Sequence, residues 1–240
     1  MLVTGAANGI GRATAARLAA EGARVCGVDV ERGPAPEGGA AIVADLAELE
    51  DLPAVVARAE AEVGPLDALV NVAGIYEQAP VAGLTAAALA RTLAVNLQAP
   101  ILLAAAAAGG MAERGYGRIV NVTSVHARVS AREALPYDTS KAGLEAATRT
   151  LGIELAPSGV LVNAVAPGFV STRMSLTDDG RDVLDTEPMR RLYIESGRLP
   201  QRRSATPDEV AGCILWLASP ANTYVTAQTV TIDGGLTATF

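Results

Sequence analysis

A tyrosine and a lysine four residues apart, Tyr137 and Lys141, are the residues in this chain whose types and spacing most clearly could do chemistry. On a helix that spacing puts both side chains on one face. An isolated tyrosine hydroxyl titrates near pH ~10, and a nearby ammonium favours the phenolate and lowers that value. Such a phenol is a workable acid/base for a carbonyl and its alcohol at physiological pH. The pattern Y-x-x-x-K is common by chance. Here, however, the lysine is the only one among 19 basic residues. A chain that uses arginine everywhere else retains an amine at this one position, where a guanidinium would differ in size, acidity and geometry. Ser124 follows the β-rich run R-I-V-N-V-T, 13 residues before Tyr137. Doubly wound sheets hold their ligands at the C-terminal ends of the strands, so its hydroxyl could hold a substrate oxygen.

A second constellation opens the chain. Thr4-Gly5-Ala6-Ala7-Asn8-Gly9-Ile10-Gly11 lies between a short apolar run and a helical one. The glycines allow a tight turn and let a pyrophosphate approach the backbone, and the helix N-terminus offers free N–H groups and partial positive charge. Asp29 ends the next β-rich run, 18 residues after Gly11. A carboxylate there can accept from both ribose hydroxyls of NAD and would repel the additional phosphate of NADP. Arg32, close behind, is the one nearby cation that could meet such a phosphate. The balance favours NAD over NADP.

These residues require a scaffold that alternates strands with helices. The pattern predicts strands at 2–4, 24–30, 41–43, 66–72, 118–123, 159–166 and 228–233. It predicts helices at 10–21, 48–63, 85–108, 136–156 and 207–218, with Gly22 and Gly64 as stops and Thr206 as an N-cap. Strand and helix in repeated alternation mean an α/β fold: a single doubly wound Rossmann domain over 1–240, its parallel sheet of about seven strands covered on both faces. Residues 168–206 are irregular and polar. A stretch of that length in a compact domain reads as a lid over the substrate.

Composition excludes several alternatives. Half of the residues are apolar and the formal net charge is −7. The chain can bury a large core and is neither disordered nor disulfide-stapled. Its acidity speaks against nucleic acid and anionic membrane as partners. One histidine and two distant cysteines, Cys26 and Cys213, give no metal-ligand spacing, so no metal is expected. The cysteines read as small buried hydrophobes in a reducing cytoplasm. No secretory leader is visible at the start, and the longest unbroken apolar run, 100–108, is short for a membrane span. Arginine, alanine and glycine at the expense of lysine suggest a GC-rich bacterial genome.

Taken together, these residues resemble the short-chain dehydrogenase/reductase family. The resemblance runs from T-G-A-A-N-G-I-G through Asp45-Leu46, N-V-A-G at 71–74, Asn96, Ser124, Tyr137 and Lys141 to Pro167-Gly168, Thr172 and I-D-G-G at 232–235. It implies that Tyr137 is the acid/base and that Lys141 lowers its pKa and binds the nicotinamide ribose. Ser124 would orient the substrate oxygen, and Asn96 would hold a water that links Lys141 to solvent. For the cofactor it implies the turn residues Gly5, Asn8, Gly9, Ile10 and Gly11, with Asp29 on the ribose. Asp45 and Leu46 would meet the adenine, and Asn71, Ala73 and Gly74 would line the adenosine side. Pro167, Gly168, Val170 and Thr172 would hold the nicotinamide. Val72 stands where relatives carry a second Asn, and Ala227 where they often carry Gly.

The resemblance also implies an NAD-dependent enzyme that interconverts a small-molecule secondary alcohol and its ketone, and a homotetramer packed through its alanine-rich helices. His126, with Phe169, Met174 and Tyr76, is a candidate for contact with substrate. The alternatives are a 3-oxoacyl-thioester reductase using NADPH and a dinucleotide-sensing regulator without turnover. Against the latter, Asn96, Ser124, Tyr137 and Lys141 are all present.

Overall fold

The computed structural model describes residues 1–239. Seven parallel strands form one sheet in the order β3-β2-β1-β4-β5-β6-β7. They are β1 (Leu2–Thr4), β2 (Cys26–Asp29), β3 (Ala40–Val43), β4 (Ala68–Asn71), β5 (Gly117–Val122), β6 (Val160–Pro167) and β7 (Thr229–Ile232). The helices are α1 (Gly9–Ala20), α2 (Leu52–Val63), α3 (Ala86–Leu93), α4 (Ala99–Glu113), α5 (Leu135–Leu155), α6 (Glu187–Met189) and α7 (Pro207–Ala218). The doubly wound fold expected from the alternation is present, and the predicted elements lie within a few residues of the observed ones.

Every residue of β4 and β5 is buried. Strands covered by helices on both faces must be apolar on both, which is why these segments read as runs rather than alternations. One core layer packs α2 and α4 on the sheet through Leu52, Val55, Ala59, Leu103 and Met111. The other packs α1 and α7 through Ala15, Leu18, Val210, Ile214 and Leu217. Helix stops follow the chain chemistry. Gly22 and Gly64 take the left-handed φ values of 85° and 83° that end α1 and α2. Thr206 and Glu209 form a reciprocal capping box at the start of α7.

Three departures from the expected elements matter for the site. The single helix predicted over 85–108 is instead α3 and α4 joined by a π-helical segment, Ala94–Gln98, which carries Asn96 at its centre. The whole run Ala86–Glu113 is long and apolar enough to cross a membrane by length and composition. It exceeds the span expected from the unbroken apolar residues because helix geometry tolerates the polar interruptions. Ala99, Leu103, Ala107 and Met111 on its inner face are buried against the sheet, as in a core helix. The irregular segment 168–206 contains short helical turns at Arg173–Ser175 and Val183–Asp185, then α6 and a π-helical turn at Arg190–Glu195. Third, β2 is shorter than predicted, because Arg24 and Val25 precede the paired register that begins at Cys26 opposite Leu2.

Candidate active site

The strand order reverses between β1 and β4, and the ends of these strands open a crevice at that point. The Thr4 hydroxyl accepts the Val72 and Ala73 N–H groups at 3.0 and 3.1 Å, fastening the two strand ends together. That bond uses backbone at position 72. The Val72 side chain packs on the core instead, which gives a physical reason for the loss of an asparagine here.

Gly5 turns the chain at φ 66°, and a Cβ there would stand 3.0 Å from the Ala73 backbone. A Cβ on Gly11 would run into the Gly5 carbonyl. The turn between them is pinned by Asp29, whose two carboxylate oxygens accept Ala7 N–H at 2.9 Å and Glu31 N–H at 3.1 Å. No side chain caps the N-terminus of α1. Asn8, placed to do so, turns outward: its amide donates to Glu31 at 3.4 Å, and its oxygen accepts from Arg173 at 3.4 Å. The first N–H groups of α1 are therefore open to an anion, and the glycine cradle before them leaves room for one. These features fit a dinucleotide pyrophosphate.

The other expected cofactor residues fall into two groups. Gly74 lies on the floor of the crevice, where an added Cβ would stand 3.3 Å from Asn96 Oδ1 and 3.4 Å from Lys141 Nζ. Pro167 closes β6, and Gly168 continues the pairing through a 3.0 Å bond to Ile232 O. Val170 bridges to Ala205. Thr172 reaches across to the glycine turn, its methyl 3.2 Å from where a Cβ of Gly9 would be. The second group turns its side chains the other way. Leu46 is buried in the core, while Asp45 accepts the Ala47 N–H in a local turn. Asn71 is buried and donates to Asn121 Oδ1 at 2.9 Å. It can offer a ligand only its backbone. Ile10 also packs on the core, from the α1 side.

At the far end of the crevice, α5 presents Tyr137 and Lys141 on one face. The Lys141 amine donates to Val122 O at 2.8 Å and lies 5.6 Å from the Tyr137 ring centroid. Ser124 caps the helical turn after β5, where its hydroxyl accepts the His126 N–H at 3.2 Å, and it lowers the pKa of the neighbouring Tyr137 phenol. Asn96 is fully buried. Its Oδ1 accepts Ile75 N–H at 2.8 Å, and its amide donates to Ile75 O at 2.9 Å and Ser140 Oγ at 3.2 Å. The π segment is what swings this asparagine inward, and such segments recur at functional sites. Asn96, Ser124, Tyr137 and Lys141, far apart in sequence, thus meet around one buried polar centre.

Electrostatics there depart from the expectation for a tyrosine beside an ammonium. Burial pushes the Tyr137 phenol up to about 12, against a smaller downward pull from the Ser124 hydrogen bond. Burial also brings the Lys141 amine down to about 8. Desolvation dominates both shifts, since the charged form of each group is disfavoured in the same dry site. The direction of the tyrosine's shift favours the neutral phenol over the phenolate.

Around this centre, Tyr76, His126 and Tyr137 meet edge to face, with centroids 5.0 Å apart for the two tyrosines and 5.5 Å for His126 and Tyr137. Phe169 meets Tyr193 edge to face, with centroids 4.9 Å apart. Met174 is exposed. Arg173 forms an ion pair with Glu31 at 2.9 Å and so crosses from segment 168–206 to the rim of the glycine turn. Asp138, Tyr193 and Arg173 escaped sequence reasoning as members of the site. For Asp138 there was a signal, an acid beside the candidate acid/base tyrosine. For Tyr193, inside an irregular segment, there was none.

Comparison with known proteins gives a consistent outcome. The family model described as Enoyl-(Acyl carrier protein) reductase matches residues 5–237. The galactitol 2-dehydrogenase of Agrobacterium fabrum is 34% identical over 252 residues, covering 98% of this chain and 95% of the relative. The 3-oxoacyl-[acyl-carrier-protein] reductase of Synechocystis sp. is 34% identical over 247 residues, covering 98% and 95%. A solved structure from Beutenbergia cavernae, described as an NAD(P)-dependent gluconate 5-dehydrogenase with NADP bound at low occupancy, superposes with a TM-score of 0.87. It is 35% identical and covers 99% of this chain and 96% of that one.

Proposed function

Because the chain belongs to the short-chain dehydrogenase/reductase family of oxidoreductases, which bind a nicotinamide dinucleotide, we propose that it is an NAD-dependent enzyme that interconverts a secondary alcohol and its ketone, with Tyr137 as acid/base. The observation that carries this reading is the convergence of Ser124, Tyr137, Lys141 and Asn96 in one buried cluster at the mouth of the crevice. Gly5, Gly9 and the open end of α1 would hold the pyrophosphate. Asp29 would accept from the adenosine ribose through its remaining lone pairs, and Val170 and Thr172 would flank the nicotinamide. When bound, the nicotinamide gives or takes the hydride.

The chain's own residues handle the proton. Ser124 and Tyr137 bind the reacting oxygen from their two hydroxyls, which face each other closely enough for Ser124 to lower the phenol's pKa. The neutral phenol is ready to protonate a developing alkoxide in the direction of reduction. In the direction of oxidation it must first lose its proton, and Lys141 supplies the positive charge that makes this possible. A lysine brought down to about 8 exchanges its proton readily near neutral pH. Asn96 holds the segment through which a water would connect that amine to solvent. Segment 168–206 would close over the substrate as a lid.

The Asp29 carboxylate borders the ribose end and would repel a 2′-phosphate, while the Glu31 carboxylate beside it is already paired with Arg173. This supports NAD. The relative named as a 3-oxoacyl reductase supports a second reading, reduction of an oxoacyl thioester with NADPH. A much lower KM for NADPH than for NADH would favour it. The reading also includes a cytoplasmic homotetramer. Leu102 on α4 and Ile153 on α5 are exposed apolar side chains that a partner would cover. Size exclusion with light scattering should then give four times the chain mass, and a monomer mass would remove this part.

The deciding test is a panel of sugars, hydroxy acids and cyclic and aliphatic secondary alcohols, offered with NAD⁺ and NADP⁺. Tyr137→Phe should lower turnover by about 10²–10⁴-fold, the span that acid/base groups contribute, while NADH binding stays close to wild type. Near-wild-type turnover in that variant would defeat the assignment.

A further inference from the structure

We infer that His126 and Asp138 form a subsite beside the reacting centre that reads a second hydroxyl on the substrate, and hence that the substrate is a diol or polyol. The inference rests on Tyr137 as the acid/base and names the class of alcohol it acts on.

His126 Nδ1 lies 2.6 Å from Asp138 Oδ1, with side chains 26% and 14% exposed. Both partners are held by the groups that build the reaction centre. Ser124 Oγ accepts the His126 N–H at 3.2 Å and so orients the turn that carries the imidazole. Asp138 is the residue after Tyr137, in the first turn of α5. The imidazole edge meets the Tyr137 ring at 5.5 Å and the Tyr76 ring at 6.4 Å. It therefore belongs to the same wall as the phenol.

The pairing decides what the imidazole can do. An ionised carboxylate only accepts hydrogen bonds, so Nδ1 carries the hydrogen. In the neutral ring Nε2 is then a bare acceptor, and no protein group bonds to it among the described residues. The matching partner is a hydroxyl donor. A substrate carboxylate suits the site poorly: the pair is neutral overall when the ring is protonated and negative when it is not. The buried Lys141 amine is engaged by Val122 O. A purely structural role for the pair is already filled, since Arg128 ties the same loop to Glu145 of α5 at 3.2 Å. With Ser124 and Tyr137 on the reacting oxygen, His126 Nε2 would take the hydroxyl of a neighbouring carbon.

His126 is the only histidine in the chain, so ¹⁵N-histidine labelling of the full protein reports this ring alone. The expected spectrum has Nδ1 protonated and Nε2 bare. Adding 1,2-cyclohexanediol to the NADH-bound protein should move the Nε2 resonance, and cyclohexanol should not. In Asp138→Ala the ring should lose that tautomer, and Asp138→Asn, whose amide oxygen still accepts, should keep it. In turnover with NAD⁺, Asp138→Ala should cut the preference for diol over monool about tenfold, as expected for loss of one matched hydrogen bond. The loss should appear in KM, and Asp138→Asn should restore most of it. Protonated Nε2 in the wild type, an Nε2 signal indifferent to diol, or a diol preference that survives Asp138→Ala would each overturn the subsite. If neither alcohol turns over, the acid/base reading fails on its own account, and the response of the imidazole to diol still decides the subsite.

Discussion

Lys141 is a titratable amine held in a dry site, and this has a measurable consequence. Its amine is brought from 10.5 down to about 8 by burial. Between those two values the unfolded chain binds the proton and the folded chain does not, so stability rises with pH across that window. Below the folded value the protein carries the whole cost of a buried ammonium, which at 1.36 kcal/mol per unit is about 3 kcal/mol. The perturbation is Lys141→Met, which keeps an unbranched side chain one atom shorter and removes the charge. Its net effect at one pH mixes in the lost bond to Val122 O, worth about 1 kcal/mol with a further penalty for the bare carbonyl. The pH dependence of the difference is free of that term. The stability of the variant relative to wild type should be greatest near pH ~7 and fall by about 2 kcal/mol by pH ~9.5, still inside the titration window. Urea unfolding of both ligand-free proteins across that range measures it. Groups common to both cancel, and Tyr137, pushed up to about 12, stays protonated throughout. A flat difference, or one that grows with pH, would show that the amine is not desolvated. The ready exchange of its proton would then lose its basis.

Other outcomes follow from particular contacts. Ala227 sits at φ 58°, in the left-handed region, beside Gly152. A Cβ there costs about 1–2 kcal/mol, and glycine gives back roughly 0.5–1 kcal/mol through the unfolded chain. Ala227→Gly should therefore stabilise the protein by up to about 1 kcal/mol in urea unfolding; destabilisation would contradict the strain. The exposed Arg173–Glu31 pair is worth at most about 1 kcal/mol. Arg173→Ala should leave the melting temperature within a few degrees, while amide exchange in 172–180 quickens. Unchanged exchange there would mean that the pair does not hold the segment.

Much of the scaffold was legible because it obeys simple local rules. Buried parallel strands show as apolar runs, α1 and α2 end at glycines, and α7 begins at a capping box. The turn at 4–11 and the pair Tyr137–Lys141 were legible because spacing alone puts their members together. What lay hidden has physical causes. Residues 85–108 look like uniform helix, since the π segment costs one register change and leaves no mark in an alanine-rich composition. The side-chain directions of Leu46 and Asn71 depend on which face of the sheet each strand end presents, and that is set by neighbours distant in sequence. The dryness of the tyrosine–lysine pair is tertiary too. From spacing the ammonium should lower the phenol; burial reverses the sign.

That reversal bears on how the site works. An exposed pair would ionise readily but would hold its charge in competition with water, where a charge is weakly felt. The buried pair keeps the phenol neutral and leaves the ammonium easy to discharge, and in the low-dielectric interior a charge entering the crevice acts on both strongly. The phenol at about 12 and the amine at about 8 are thus the resting values of a site whose acidity is set on binding. Asn96 serves this arrangement, since it satisfies both backbone groups of Ile75 at the floor and donates to Ser140, one residue before the lysine. The π segment, the buried amine and the dry phenol each run against local preference. They lie together in three dimensions, where the proposed acid/base role would give the fold a reason to retain them.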